Sequence, residues 1–496
     1  MNKFMSTADQ IKKIRIDKVK ELKKQGKDVY PSHCFRNHLV SDVLVHFSSW
    51  SETKKKIWIG GRIMSIRFHG GIAFADLRDT SGHLQIVFKK GDTKDFELVN
   101  QYLDTSDFVE VKGFPFKTER GAKSLLVEEW RILTKSLRPI PSEWYGLKDA
   151  EERFRRRYLD LILNEEVKKR FETRSKIIKA MREFFDKEGF VEVETPILQT
   201  LAGGATARPF KTKLNILNMP LYLRIAPELY LKRLIVGGFE KIFEIGKNFR
   251  NEGIDKTHNP EFTMMELYWA YADYEDMMDF IEKLFVYILK HALPQIEDPL
   301  LINFNGQLIN FTPPWPRKKF LDLIEEETNL KPLATDVRKW RAFLQAQGVT
   351  ITEEIKKMDE WGLMDEVYKK VCLEKLIQPT FITHHPSALS PLAKLSKDDP
   401  NETERFQVVV GGIELVNGYS ELNDPLEQAE RFKKQEQRRR AGNEEASRYD
   451  KDFVEALEYG MPPTAGVGIG IDRLVMLLTN APSIKEVIFF PFMKNK

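Results

Sequence analysis

From residue 56 to residue 133 the chain runs as short β-type stretches separated by turn residues, among them Gly70-Gly71 and Ser81-Gly82. The pattern predicts strands at 57–67, 72–77, 84–88, 108–116 and 125–133, with a helix at 95–103 between the third and fourth. Five strands with a helix in that gap suit a small Greek-key barrel of the OB type, a fold that often offers one face to single-stranded nucleic acid. Ahead of the barrel, Ile11, Ile14, Val19 and Leu22 fall on one side of a predicted helix. Eight Lys or Arg against three acids between Ile11 and Asp28 make that helix basic. Either it packs its stripe on the body, or it grips RNA phosphates as well.

A Pro- and aromatic-rich linker, RPIPSEWYGLKD, follows the barrel, and AEERFRRRYLDLI then opens a helical region continuing to Phe185. Beyond it helices alternate with β-rich segments, without a βαβ repeat and without a GxxxxGK[ST] or GxGxxG loop. A bound nucleotide must therefore be held by something other than a P-loop or Rossmann turn. Residues 295–400 carry less signal, with a helical pattern at 356–376. The expected divisions are a basic helix and lead-in (1–55), the barrel (56–140), a linker (141–155) and a large second domain (156–496).

The richest chemistry lies in FEIGKNFRNEGIDKTHNPEFTMMELYWAYADY, where strands near 242–249 and 262–271 flank a polar loop. Such a loop between apolar strands is a natural substrate site. The planar fork of Arg250 suits a phosphate and a carboxylate together. Glu252, His258 and Asn259 lie within reach of a nucleobase or ribose bound there. Taken singly, each has a plainer account: Arg250 with Glu252 as a surface ion pair, and His258-Asn259-Pro260 as a turn.

Composition narrows the class without choosing it. At 496 residues the chain exceeds one ordinary core. Its 42% hydrophobic and 31% charged residues are those of a globular protein, and no run approaches the ~18–20 apolar residues needed to span a bilayer. The charge-studded amino terminus lacks the apolar centre of a secretory signal, so a cytoplasmic protein is expected. Cys34 and Cys372 stand far apart with no CxxC, which argues against a disulfide framework or structural zinc. A net charge of +4 is too small to establish a polyanionic partner.

FRNEG followed by HNPEFTMMELY resembles motif 2 (243–268) of the class II aminoacyl-tRNA synthetases. GVGIGIDRLVML (466–477) resembles motif 3, and GFVEVETPIL (189–198), with Pro196, resembles motif 1. The barrel ahead of these motifs is the arrangement of the subgroup specific for lysine, aspartate and asparagine. The resemblance implies an α+β chain: an N-terminal OB-fold anticodon-binding barrel, then a catalytic domain built on an antiparallel sheet flanked by helices. ATP is then expected in a bent form, with Arg250 on the α-phosphate, Arg473 on the γ-phosphate and Phe262 stacked on adenine. Glu252, His258 and Asn259 would contact the nucleotide. No protein base is expected, because the substrate's own carboxylate is the nucleophile. Magnesium is expected on the phosphates, with the family's carboxylates at the positions of Gln407 and Glu414. This chain keeps Glu414 but departs at Gln407, whose carbonyl could still coordinate.

The same resemblance implies the amino acid. Burying an ammonium without a carboxylate would be costly, so acidic residues in the pocket are diagnostic. Glu228, with Gly204 beside it, matches the position for an α-amino group, and Asn417 and Arg250 match those for the α-carboxylate. Glu421 and Tyr268 match the pair reaching the ε-ammonium of lysine, with Tyr419 and Glu266 lining the pocket. In the barrel, Phe74 and Gln85 match positions that read the central anticodon base, with Arg67 nearby. A further acidic contact falls near Ala122 and Glu119, and Lys256 is the nearest cation where many bacterial relatives carry Arg at the position of Thr257. Implied partners are L-lysine, ATP, tRNA(Lys) and a second copy joined through motif 1. Three alternatives stay open: an aspartyl or asparaginyl synthetase, a lysine ligase acting on a translation factor (whose relatives lack the barrel), and a non-catalytic RNA-binding paralogue.

Overall fold

The computed structural model describes residues 7–141, 149–440 and 448–495. Two compact units divide it, Met1–Gly146 and Leu147–Lys496. Part of the linker expected at 141–155 lies outside the described residues.

In the first unit, β1 (Ile57–His69), β2 (Ile72–Arg78), β3 (His83–Lys89), β4 (Phe108–Lys117) and β5 (Lys123–Thr134) close into a barrel in the order β1-β2-β3-β5-β4. The β3–β5 pair is parallel and the others antiparallel, the Greek-key closure expected of an OB fold. Each predicted strand is present and one or more residues longer, because the ladder hydrogen bonds continue past the last apolar side chain. Strand β2 shows the period-two logic: Ala73, Ala75 and Leu77 are buried while Ile72, Phe74, Asp76 and Arg78 look outward.

The predicted basic helix forms as α1 (Thr7–Lys24), but its stripe differs from the expected one. Leu22 is buried whereas Ile14 is 58% exposed, and Arg15 is buried instead. The Arg15 guanidinium donates to the carbonyls of Ser136 and Thr105, both at 3.0 Å. Hydrogen bonding to these carbonyls has displaced an apolar anchor, which hydrophobic periodicity alone does not reveal.

The second unit is built on an eight-stranded sheet. Its strands are β6 (Val191–Glu192), β7 (Lys241–Phe249), β8 (Glu261–Ala270), β9 (Arg317–Lys319), β10 (Thr380–Thr383), β11 (Arg405–Val410), β12 (Ile413–Ser420) and β13 (Thr464–Gly470). Their order is β9-β10-β11-β12-β13-β8-β7-β6, antiparallel except for the two edge pairs. One face is sealed by α2 (Tyr274–Ala292) and α3 (Ile471–Leu478). Buried Met277, Met278, Ile281, Leu284, Phe285, Ile288 and Leu289 give α2 its apolar stripe, and Asp273 caps its start through the backbone N–H groups of Glu275 and Asp276. The helix expected at 356–376 is instead broken into Glu353–Lys357 and Glu360–Val367 followed by a wide turn, because Met358 is extended and Asp359 caps a new start.

Candidate active site

Alternation along β8 separates core from site. Met265 and Leu267 point into the core under α2, while Phe262, Met264, Glu266 and Tyr268 point to the opposite face. The register carries this face across the sheet: Glu244 stands opposite Glu266 on β7, and Gly468 and Gly466 of β13 stand opposite Glu266 and Tyr268. On the far side of β13, Asn417 pairs with Gly468 and Tyr419 with Gly466. The glycines of motif 3 thus form the floor of a trough whose walls are β8 and β12. A Cβ at Gly466 would collide with Glu421 Oε1 and lie 2.6 Å from the Tyr268 ring, so only glycine fits there.

One end of the trough is acidic. Glu228 opens α4 (Glu228–Val236), and Glu421 follows β12. Glu228, Glu266 and Glu421 are 5%, 4% and 1% exposed, so three carboxylates are withdrawn from water together. The Tyr419 hydroxyl donates to Glu228 Oε1 at 2.7 Å and the Tyr268 hydroxyl to Glu266 Oε2 at 3.1 Å. Burial, with repulsion from Glu228, pushes Glu266 up to about 8. Burial also raises Glu421, against the pull of Lys232. Both tyrosines stay protonated, raised first by burial and then by Glu228. Gly204, at φ +87°, passes so near Glu228 that a Cβ would sit 3.0 Å from the Glu228 Cβ.

Cations occupy the other end. The Arg250 guanidinium lies over the Phe262 ring at 5.1 Å, with its Nε donating to the carbonyl of Ile225. Burial lowers its affinity for its proton, countered by Glu252 and reinforced by nearby Arg473. Arg473, on α3, donates to the Glu414 carbonyl at 2.9 Å and approaches His258 Nε2 at 2.8 Å. Since guanidinium can only donate, His258 Nε2 must accept; its Nδ1 then carries the proton and donates to Asp255 at 2.8 Å. The loop is therefore pinned by an Asp255–His258–Arg473 chain. Buried Asn259 donates to the Glu261 carbonyl at 2.6 Å, while its Oδ1 has no partner among the described residues. Asn417 Oδ1 accepts from Arg405 Nε at 3.0 Å, which leaves its amide N–H groups to donate. Glu252 is exposed on the loop.

Gln407 departs from the role the sequence left open to it. Its Oε1 accepts from the Tyr368 hydroxyl at 2.7 Å and lies 3.2 Å from His385 Nε2, both buried, so the carbonyl is already engaged. Glu414 is half-buried beside it on the sheet. Among the described residues no cluster of three or more His, Cys, Asp or Glu could hold a metal ion. This donor set fits an ion that arrives with its own phosphate oxygens, and not one caged by protein alone.

On the barrel, Arg67 pairs with Phe74, Phe74 with Val87, and Asp76 with Gln85, which puts Arg67, Phe74 and Gln85 on one face. Arg67 is exposed, and Phe74 is half-buried and absent from the core. Gln85 donates to Ser124 Oγ at 2.9 Å, leaving its carbonyl outward. Exposed Glu119 stands in the turn before Ala122.

Comparison with known proteins places this geometry. Residues 149–494 match the family model of tRNA synthetases class II (D, K and N), and residues 57–133 match that of the OB-fold nucleic acid binding domain. The chain belongs to the class II tRNA synthetases. Among its relatives are proteins named lysine-tRNA ligase from Pelotomaculum thermopropionicum (48% identical, covering 98% of this chain and 96% of the relative) and Fervidobacterium nodosum (47%, 97% and 93%). A third, of the same name, is from Carboxydothermus hydrogenoformans (47%, 98% and 99%). Sequence reasoning missed several parts of this synthetase. Asp472 accepts from the Thr263 backbone N–H at 2.7 Å and from Arg174 at 2.6 Å, fixing motif 3 to β8. Arg224 joins Glu244 to Thr195 of motif 1 and to the Lys247 carbonyl. Lys232, wholly buried, stands between Glu228 and Glu421. An internal charge inside an apolar helix such as ELYLKRLIV was the available signal for Lys232.

Proposed function

We propose that this synthetase activates L-lysine with ATP and transfers it to tRNA(Lys). The observation that carries this reading is the group of three buried carboxylates, Glu228, Glu266 and Glu421, at the trough end remote from Arg473. Free lysine brings two ammonium groups to such a site, whereas aspartate would bring an additional carboxylate and be repelled. Its α-amino group goes to Glu228 beside Gly204, and its ε-ammonium to Glu421 with Tyr268 and Tyr419. Its carboxylate goes to Arg250 and the free amide donors of Asn417. Glu421 Oε1 has no hydrogen-bond donor among the described residues, which suits an incoming ammonium.

ATP lies with its adenine on Phe262 between that ring and the loop, near Asn259, Glu252 and His258. Arg250 neutralises the α-phosphate and Arg473 the γ-phosphate. A carboxylate oxygen of lysine then attacks the α-phosphorus and pyrophosphate leaves with the electron pair of the broken bond. A terminal ribose hydroxyl of the tRNA next attacks the lysyl carbonyl, losing its proton as AMP departs. The chain contributes alignment and charge neutralisation at a withdrawn guanidinium, where electrostatic effects exceed those in water. Magnesium, supplied with the triphosphate and held on the protein side by Glu414, would neutralise phosphate charge; Gln407 stays with Tyr368 and His385.

The barrel face of Arg67, Phe74 and Gln85 reads unpaired anticodon bases by stacking and edge contacts. The second copy joins through motif 1, a reading supported by exposed Val191, Ile197, Leu198 and Ile216 in and after that segment. ATP–pyrophosphate exchange with lysine, aspartate, asparagine and ornithine tests the substrate directly. Exchange with lysine, lowered about 100-fold or more in Glu421→Ala because a buried ammonium loses its partner, is expected. Equal lysine-dependent exchange in that variant would sink the pocket assignment.

A further inference from the structure

Lys232 lies on α4 one turn after Glu228, with no exposed side-chain surface. Its ammonium donates to Glu228 Oε1 at 2.6 Å and forms an ion pair with Glu421. The rings of Tyr419 and Phe453 lie 5.5 and 5.9 Å from it. The ionisable groups set directly against it are Glu228 from its own helix, Glu421 at the end of β12 and the Tyr419 ring of β12, and Glu266 and Tyr268 from β8 belong to the same cluster through Glu228 and Glu421. Arg250 and Glu244 act on the cluster through Glu266. Strand β13 contributes Thr464 and glycines, and no titratable group, to this face.

The geometry points to Lys232 as a positioning residue for the substrate: a fixed internal ammonium that ties Glu228 to Glu421 and sets the charge of the pocket. With all three carboxylates ionised, as an incoming diamine favours, three carboxylates and one ammonium leave two negative charges, the number of positive charges on the amino groups of free lysine. The two carboxylates that Lys232 joins are the ones assigned to opposite ends of the substrate, so it also fixes the spacing between the α- and ε-ammonium subsites. This inference rests on the lysine reading above.

Without Lys232, three buried carboxylates would face one another uncompensated, and the free pocket would recover neutrality by taking up protons. Those protons must leave when lysine binds. In the unaltered protein Glu266 already supplies such a proton, being pushed up to about 8. Calorimetric titration of the full chain with L-lysine at pH 7, in buffers of different ionisation enthalpy, therefore counts more protons released per lysine bound in Lys232→Met than in the unaltered protein. The same variant is expected to raise KM for lysine at least tenfold in pyrophosphate exchange while KM for ATP changes less than twofold. An unchanged proton count and lysine affinity in Lys232→Met would overturn the inference. Lys232→Ala adds a second route that remains open if the Met variant does not fold. Propylammonium is expected to restore its lysine exchange, and 1-propanol, which fills the same space without charge, is not. Equal restoration by both would reduce Lys232 to a space-filler and overturn the inference. The unaltered protein separates the two readings: absence of lysine-dependent exchange there defeats the lysine pocket itself, whereas normal exchange with an insensitive Lys232 defeats only the role given to this residue.

Discussion

On the proposed lysine reading, Glu266 makes substrate recognition sensitive to pH. Its carboxyl, pushed up to about 8, holds a proton at pH 7 in the free pocket. An arriving ammonium favours the ionised form, so binding displaces that proton and strengthens as pH rises. KM for lysine is expected to fall between about pH 6 and 8, approaching tenfold per pH unit at the acid end, while KM for ATP follows no such slope. Glu266→Gln should flatten the lysine profile, and a profile in the variant as steep as the original would place the titrating group elsewhere. At Gly466 the constraint is volume: a methyl group would collide with Glu421 Oε1 and meet the Tyr268 ring at 2.6 Å. Overpacking of this kind costs ~1–3 kcal/mol, so Gly466→Ala should raise KM for lysine about tenfold, measured by the same exchange reaction.

At the scale of elements, the site depends on two strands and a helix keeping register. Asp472 is the joint, taking the Thr263 N–H of β8 and the Arg174 guanidinium at once from the first turn of α3. Asp472→Ala leaves the partly buried Arg174 guanidinium without its carboxylate, held only by Thr263 Oγ1 and the Val487 carbonyl, and is destabilising by up to ~3 kcal/mol. Because Arg473 is the next residue, KM for ATP should rise along with a lower denaturation midpoint in urea; a lower midpoint alone would confine Asp472 to stability. None of this was legible beforehand, since a hydrogen bond donated to Asp472 by a backbone N–H 209 residues away leaves no local pattern. Local patterns did reveal the strands: the alternation in β2 and the apolar runs of β7 and β8 follow from which side chains face a core. Arg15 marks the limit of that logic, because a guanidinium hydrogen-bonded to carbonyls is buried where periodicity expects Ile14. Matching to the family motifs named the residues that line the trough; Lys232 escaped because its role is defined by the carboxylates around it.

At the scale of the whole molecule, the proposed function assigns chemistry and tRNA reading to separate compact units. Phe74 lies on the outward face of β2, so Phe74→Ala should leave the barrel folded and lysine-dependent pyrophosphate exchange unchanged. Loss of one stacked base is worth ~1–3 kcal/mol, so KM for tRNA(Lys) in aminoacylation should rise roughly 5- to 150-fold. An unchanged KM for tRNA would remove Phe74 from the anticodon reading. The glycine floor of motif 3 has a last consequence, for altering what the enzyme accepts. Where a pocket ends on side chains, truncating one lengthens it. Across its floor this groove is main chain: between Tyr268 and Tyr419 lies the backbone of Gly466 and Gly468, with nothing to trim. Substitution there can only fill the groove, so a longer diamino acid would have to be admitted at the end, where Glu421 and Tyr268 stand.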